Sequence, residues 1–361
     1  MALLARNNPL NPHPLPFPSK VNKLKLTTFP LSPSKPPIPS LRLTSTLAST
    51  QEVISSNPDK IIRALCFFGQ LEKAIDVFNS LENHKFEEDT YISLIFLCRS
   101  KHAVPEGCRV YAHLSSSATH INLRVGNCLL HMLTGFEKLL TASHVFTKMP
   151  RKDVFSWNVM VCGYGKTGFL DEAIDWYQGM LWACVKPDIY TFACVSRCCG
   201  GLSDIKIGKV VHAHVIRFGF GSEVDVSNSL ITMYGKCGDL LKARKVFDEM
   251  PVRDCISWNA MIRGYFENYK NAEGIELFLT MLGRSLEPSL FTLTSVISQC
   301  ELDLGEALHG YTIKTGFALD DTICNSLIKM YSTSTRMDKA VKVFSRTKDR
   351  SLISWTAMIS G

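Results

Sequence analysis

An all-α solenoid of stacked helix–turn–helix units is the fold class this chain predicts, on two observations. One short string returns three times, as Ser156-Trp157-Asn158, Ser257-Trp258-Asn259 and Ser354-Trp355-Thr356, at intervals of 101 and 97 residues. Between the tryptophans the period subdivides into units of 35 and 31 residues, each reading as two helices. Self-similarity on that scale marks an array whose units bury their apolar faces only against neighbours. Function is therefore sought in the array rather than in one active site.

Residues 1–50 come first and stand apart. They hold six Lys or Arg, no Asp or Glu, ten of the sixteen prolines and eleven Ser or Thr. Such a segment cannot bury enough apolar surface to offset its ordering entropy, and a basic, acid-free, Ser-rich leader is the composition of an organelle transit peptide. Its proline content favours a plastid over a mitochondrion; an ordinary disordered tail is the alternative. Without it the chain carries 34 Lys and Arg against 33 Asp and Glu, so bulk charge selects no partner. No uncharged apolar run approaches the ~18 residues of a membrane span.

A degenerate unit follows at 51–87. The array then runs 88–122, 123–153, 154–188, 189–223, 224–254, 255–289, 290–320 and 321–351, with an incomplete unit at 352–361. The unit at 290–320 is four residues shorter than its equivalents. In 154–188, Trp157, Met160, Val161 and Tyr164 mark one helical face, glycines 163, 165 and 168 interrupt it, and Asp171-Glu172 open the next helix where the dipole favours acid. Second helices carry a small residue four before a ring: Ala142/Phe146, Ala173/Tyr177, Ala243/Phe247, Gly274/Phe278 and Ala340/Phe344. Pro187 and the pairs Met149-Pro150 and Met250-Pro251 stop second helices.

The thirteen cysteines contain no Cys-x-x-Cys pair, and several sit in apolar helical stretches, where a thiol packs as a small hydrophobe. A reduced compartment fits them better than a disulfide framework. His212 and His214 look like a metal pair, but His212 and His309 occupy one repeat position, which points to packing. No metal site and no cofactor is expected.

The strings Asn228-Ser-Leu-Ile-Thr-Met-Tyr-Gly-Lys-Cys-Gly238, Lys245-Val-Phe-Asp-Glu-Met-Pro251 and Ile256-Ser-Trp-Asn-Ala-Met-Ile262, with the 35/31 alternation, resemble the plant pentatricopeptide repeat (PPR) family in its PLS subclass. They are similar in wording to chloroplast RNA-editing factors. The uniform 34-residue tetratricopeptide unit and its Trp-Leu-Gly-Tyr signature do not fit. The resemblance implies a right-handed α-α superhelix whose groove binds single-stranded organellar RNA, one base per unit, as a monomer.

It also implies that the fifth and last residues of each unit read the base. Here those pairs are Asn127 with Asp153, Asn158 with Asp188, Asn228 with Asp254, Asn259 with Ser289, and Asn325 with Ser351. Thr294 with Asp320 is a weaker pair in an L unit, while Ile92/Asn122 and Ala193/Glu223 are not readable. By the family's code Asn with Asp favours U and Asn with Ser favours C, giving Y-Y-x-Y-Y-g-Y from 123 to 351. Helix capping is the alternative role for these asparagines. Phe155 and Ile256, second in their units, would wedge between bases or else pack in the core.

Relatives of this subclass continue into further triplets and often a zinc deaminase domain. That chemistry needs His-x-Glu and Cys-x-x-Cys, and neither string occurs, so the chain is not expected to be an enzyme. Catalysis would come from a deaminase or accessory protein in trans. The competing expectations are a tetratricopeptide-type scaffold for a peptide, or a truncated, non-functional editing factor.

Overall fold

The computed structural model describes residues 57–81, 84–116, 121–347 and 352–359. The leader at 1–50 and Ser351 lie outside the described residues. Every regular element among the described residues is helical.

The helices come in pairs, each a first helix and a shorter or equal second one except in the unit 290–320, where the second is longer. They are α1 (Pro58–Phe67) and α2 (Leu71–Asn79), α3 (Glu88–Ser100) and α4 (Val104–Ser116), α5 (Leu123–Gly135) and α6 (Leu139–Lys148), α7 (Val154–Lys166) and α8 (Leu170–Trp182), then α9 (Ile189–Leu202) and α10 (Ile205–Arg217). There follow α11 (Val224–Lys236) and α12 (Leu240–Glu249), α13 (Cys255–Glu267) and α14 (Asn271–Gly283), α15 (Leu290–Ile297) and α16 (Leu302–Thr315), α17 (Asp321–Thr333) and α18 (Met337–Arg346), and α19 (Leu352–Ile359). Each first helix packs on its own second helix and on the first helices of the units before and after it. The first helices thus form one continuous layer, and the second helices form the other.

Local chemistry ends the first helices at a fixed place. The fifteenth residue of the unit turns left-handed, as His102, Glu137, Gly168, Ser203, Gly238, Tyr269 and Thr335. Glycine takes that conformation freely; the others accept a steric cost of about 1 kcal/mol because the stacked helices on both sides fix the turn. The unit 290–320 has no such residue among those described. Its deficit falls in the first helix: α15 is 8 residues long where α9 is 14.

The recurrent tryptophans join units. Trp157 meets Phe146 edge-on at 4.7 Å, Trp258 meets Phe247 at 5.1 Å, and Trp355 meets Phe344 at 4.8 Å, each ring lying on the preceding unit's second helix. The small residues four before those rings, Ala142, Ala243 and Ala340, are fully buried, which lets neighbouring helices close on them. Gly235 and Gly200 mark close approaches between first helices: a side chain would sit 3.2 Å from the Gly264 and Met233 backbones respectively.

Two histidines lock the same joint. His212 Nδ1 and the Tyr234 hydroxyl lie 2.9 Å apart, and His309 Nδ1 and the Tyr331 hydroxyl also 2.9 Å, each bond running from a second helix to the next first helix. The recurrence of these histidines at one repeat position therefore has a scaffold partner.

The thiol expectation needs one correction. Cys98, Cys198, Cys199 and Cys324 are buried free thiols, and burial pushes Cys199 up to about 12. Cys162 of α7 and Cys194 of α9, however, form a disulfide with Cα atoms 5.7 Å apart. Two first helices stacked side by side bring these residues within bonding reach.

Candidate nucleic-acid interface

The last residue of a unit is the N-cap of the next first helix. Asp153 caps α7, Asp188 caps α9 and Asp254 caps α13, each completing a reciprocal capping box with the hydroxyl residue three further on. Ser289 caps α15 and Asp320 caps α17. The fifth-residue asparagines stand inside their helices and cap nothing, so the capping role belongs to their partners.

Three of the asparagines reach across to that cap. Asn127 Nδ2 donates to Asp153 Oδ1 at 3.2 Å, Asn158 Nδ2 to Asp188 Oδ1 at 2.9 Å, and Asn228 Nδ2 to Asp254 Oδ1 at 3.2 Å. The capping-box hydroxyls close the loop from the other side. Ser156 Oγ donates to Asn127 Oδ1 at 2.6 Å, Thr191 Oγ1 to Asn158 Oδ1 at 2.5 Å, and Ser354 Oγ to Asn325 Oδ1 at 2.8 Å. Thr292 Oγ1 donates to Asn259 Oδ1 and lies 2.8 Å from Ser289 Oγ. Asn228 departs from the pattern: it is 6% exposed and its Oδ1 has no partner among the described residues.

At Asp188 these bonds load one carboxylate oxygen and spare the other, while at Asp153 the Asn127 amide also reaches Oδ2, at 3.4 Å. Asp188 Oδ1 takes the Asn158 amide, the Thr191 amide and the Thr191 hydroxyl. Asp254 Oδ1 does the same with Asn228 and Ser257. Oδ2 of Asp188 accepts no bond among the described residues, and the Asn158 Nδ2 keeps a second hydrogen, whereas the Asp254 carboxylate also takes the Ile256 amide. Burial acts most strongly on Asp254 and pushes it up, but bonds from Ser257, Asn228 and Ile256 together hold it below the ordinary carboxylate value. It therefore stays charged.

The sixth pair is not joined. Thr294 Oγ1 donates to the Phe291 carbonyl at 2.8 Å, while the Asp320 carboxylate is taken by Thr322. Asn325 is in place, with its partner Ser351 outside the described residues.

The second-residue positions lie on the same face. Phe155 is 47% and Ile256 60% exposed, which excludes core packing for both. Tyr190 (74%) and Phe291 (51%) share their register and were not singled out from sequence, although counting to the second residue of every unit finds them. The ninth residue of the preceding unit stands beside two of them: His131 meets Phe155 edge-on at 6.0 Å, and the Arg263 guanidinium lies 5.1 Å over Phe291. Arg99, Lys166 and Arg197 pair with no carboxylate among the described residues, which leaves this face cationic.

His131 records that field. Burial first, then Arg99 and Lys166, depress it from the ordinary 6.5 to about 4. Burial likewise lowers His212, His214 and His309. The unfolded chain binds more protons than the folded one below the ordinary value, so stability is complete above 6.5 and falls as pH drops toward 4. Melting temperature measured at neutral and mildly acid pH should decline across that window, and His131→Gln should flatten the decline.

Comparison with known proteins identifies the family and the fold. A model described as the PPR repeat family matches residues 152–200, and one described as the PPR repeat matches 60–86, 226–255, 256–286 and 322–352. The chain is 49% identical over 307 residues to the Arabidopsis thaliana pentatricopeptide repeat-containing protein At1g15510, chloroplastic, covering 83% of this chain and 36% of that protein. It is 33% identical to At4g25270, chloroplastic, covering 81% and 57%, and 34% identical to At2g03880, mitochondrial, covering 82% and 47%, both from the same plant. The chain thus spans roughly a third to just over half the length of these curated relatives. The crystal structure of the maize pentatricopeptide repeat protein PPR10 shares the fold, with a TM-score of 0.63 at 20% identity over 87% of this chain and 47% of that one. With the repeat models falling on the same helix pairs, the chain is a pentatricopeptide repeat protein, homologous to Arabidopsis proteins named as chloroplastic.

Proposed function

We propose that this chain binds single-stranded RNA in an organelle, one base per unit, and addresses a site for C-to-U editing in a plastid transcript. The observation that carries the reading is the free Oδ2 beside a fixed Asn amide at Asp188. Uracil presents an N3–H donor flanked by carbonyl acceptors, which the free carboxylate oxygen and the second Asn hydrogen match. Cytosine N3 is instead an acceptor, which the Ser289 hydroxyl beside Asn259 can supply with a proton. The difference between Asp and Ser therefore translates into U against C, and the preferred site is Y-Y-x-Y-Y-g-Y.

Phe155, Tyr190, Ile256 and Phe291 supply exposed apolar faces between successive readers, and unpaired bases stack on such faces. Chloroplast location follows the leader's composition and the names of two of the relatives reported above, with mitochondrion as the second compartment.

The reading is tested by titrating the full chain against the pyrimidine-rich RNA, a purine-swapped RNA and duplex DNA. Equal weak binding to all three would sink it. Asn259→Thr should change preference at one base by about 1–3 kcal/mol, the usual cost of one wrong base. A uniform loss across all RNAs would instead make Asn259 structural.

A further inference from the structure

One unit in the middle of the array lacks a reading pair and is wired differently from its neighbours. In the unit 189–223 the fifth residue is Ala193, so no amide reaches the following cap, and the last residue is Glu223, where the units on either side end in Asp188 and Asp254. Glu223 caps α11 with its backbone alone, and its side chain takes no capping bond. Its carboxylate pairs with no cation among the described residues. The hydroxyl that elsewhere bonds the preceding asparagine turns away as well. Ser227 Oγ donates to the Gly221 carbonyl at 3.4 Å, where Ser156 and Thr191 donate to Asn127 and Asn158.

The freed carboxylate faces one side of α9. α11 packs along α9, and in the preceding unit the equivalent cap, Asp188, lies 2.9 Å from Asn158, so Glu223 stands opposite Ala193. Tyr190, Ala193 and Arg197 follow one another at i, i+3 and i+7 and share that face. Tyr190 is 74% exposed, and Arg197 is exposed too. Arg197 is anchored at one point, Nη2 donating to Cys194 Sγ at 3.2 Å, and pairs with no carboxylate among the described residues. Asp225, second in the next unit, holds the register that Phe291 holds beneath Arg263 two units on, so a second acid flanks this guanidinium.

We propose that the unit 189–223 reads guanine, with Glu223 accepting from the Watson–Crick edge, Arg197 donating to the Hoogsteen edge and Tyr190 stacking on the ring. The proposal rests on the one-base-per-unit reading above and replaces its unread third base by G. Guanine N1–H and N2–H₂ are adjacent donors, which a carboxylate matches with its two oxygens. Its O6 and N7 are adjacent acceptors, which a guanidinium fork matches. Adenine and cytosine set a ring-nitrogen acceptor against the carboxylate, and uracil offers it one donor between two carbonyls. Size points the same way. Asn158 fills this place in a pyrimidine unit, whereas Ala193 leaves room for a purine, and Glu223 reaches one methylene further than an aspartate.

The test titrates the full chain with RNAs of the core Y-Y-N-Y-Y-G-Y, in which N is each of the four bases. Guanine is expected to bind about tenfold tighter than the others, within the usual range for one base. Two analogues divide the contact by atom, since inosine lacks the N2 amino group and 7-deazaguanine lacks the N7 acceptor. Wild type should lose about three- to tenfold on each, as for one hydrogen bond. Glu223→Ala should become indifferent to inosine and still sense 7-deazaguanine, and Arg197→Ala should do the reverse. Because the Glu223 side chain caps nothing, its removal should leave the melting temperature unchanged. Equal binding of the four bases, with pyrimidine selection intact at the other places, would overturn the proposal and leave the reading above standing. Loss of pyrimidine selection everywhere would overturn both. A guanine preference that neither variant changes would also overturn it, because stacking on Tyr190 alone would then account for a purine.

Discussion

Asp188→Ala is expected to destabilise the central units by about 2–3 kcal/mol and to weaken RNA binding, whereas Asp188→Ser should keep nearly all of the stability and change the base preferred. The alanine loses the side-chain cap of α9, worth about 1–2 kcal/mol. It also strips the Asn158 amide and the Thr191 hydroxyl of a shared acceptor in a nearly buried place, worth about 1 kcal/mol more. Serine restores the cap, as Ser289 does for α15 by accepting from Thr292 N at 3.2 Å. What serine removes is the free carboxylate oxygen, so preference at that unit should move from U toward C by about 1–3 kcal/mol. Urea unfolding separates the first effect, and titration of RNAs differing at one base separates the second. If Asp188→Ser weakened U-site and C-site RNAs equally, the carboxylate would be a cap and nothing more.

The two roles of that aspartate explain how much of the site was legible. Asn158 and Asp188 stand at recurrent positions, so counting along the repeat finds them. The capping box is also written locally, as Asp-x-x-Ser at 153–156 and Asp-x-x-Thr at 188–191. What the string does not show is that the hydroxyl of the box reaches back to the preceding unit's asparagine, since that contact spans about thirty residues and depends on how two helices stack. The left-handed fifteenth residue was legible only where it is glycine. At His102, Glu137 and Tyr269 tertiary packing overrides propensity, and nothing in those side chains announces it. The shortening of the 290–320 unit was visible in the count, but its location in α15 was not.

Reduction of the Cys162–Cys194 bond is the other large effect expected. The bond joins residues 32 apart, and in the chain-entropy account a loop of that size stabilises by about 3–4 kcal/mol. In a stacked array each unit touches only its neighbours, so the loss should be confined to α7, α8 and α9 and appear there as faster amide exchange. Dithiothreitol should lower the melting temperature of the wild type and leave Cys162→Ser unchanged; an equal response from both would place the effect in other thiols. The disulfide also bears on the Asn158–Asp188 pair. Cys162 stands one helical turn after Asn158, and Asp188 lies within the closed segment. The asparagine and its acceptor come from two helices that the disulfide ties together, so loosening α7 against α9 should lengthen the 2.9 Å bond between them. RNA discrimination at this one unit should then fall on reduction while the Asn228–Asp254 unit, outside the loop, keeps its own.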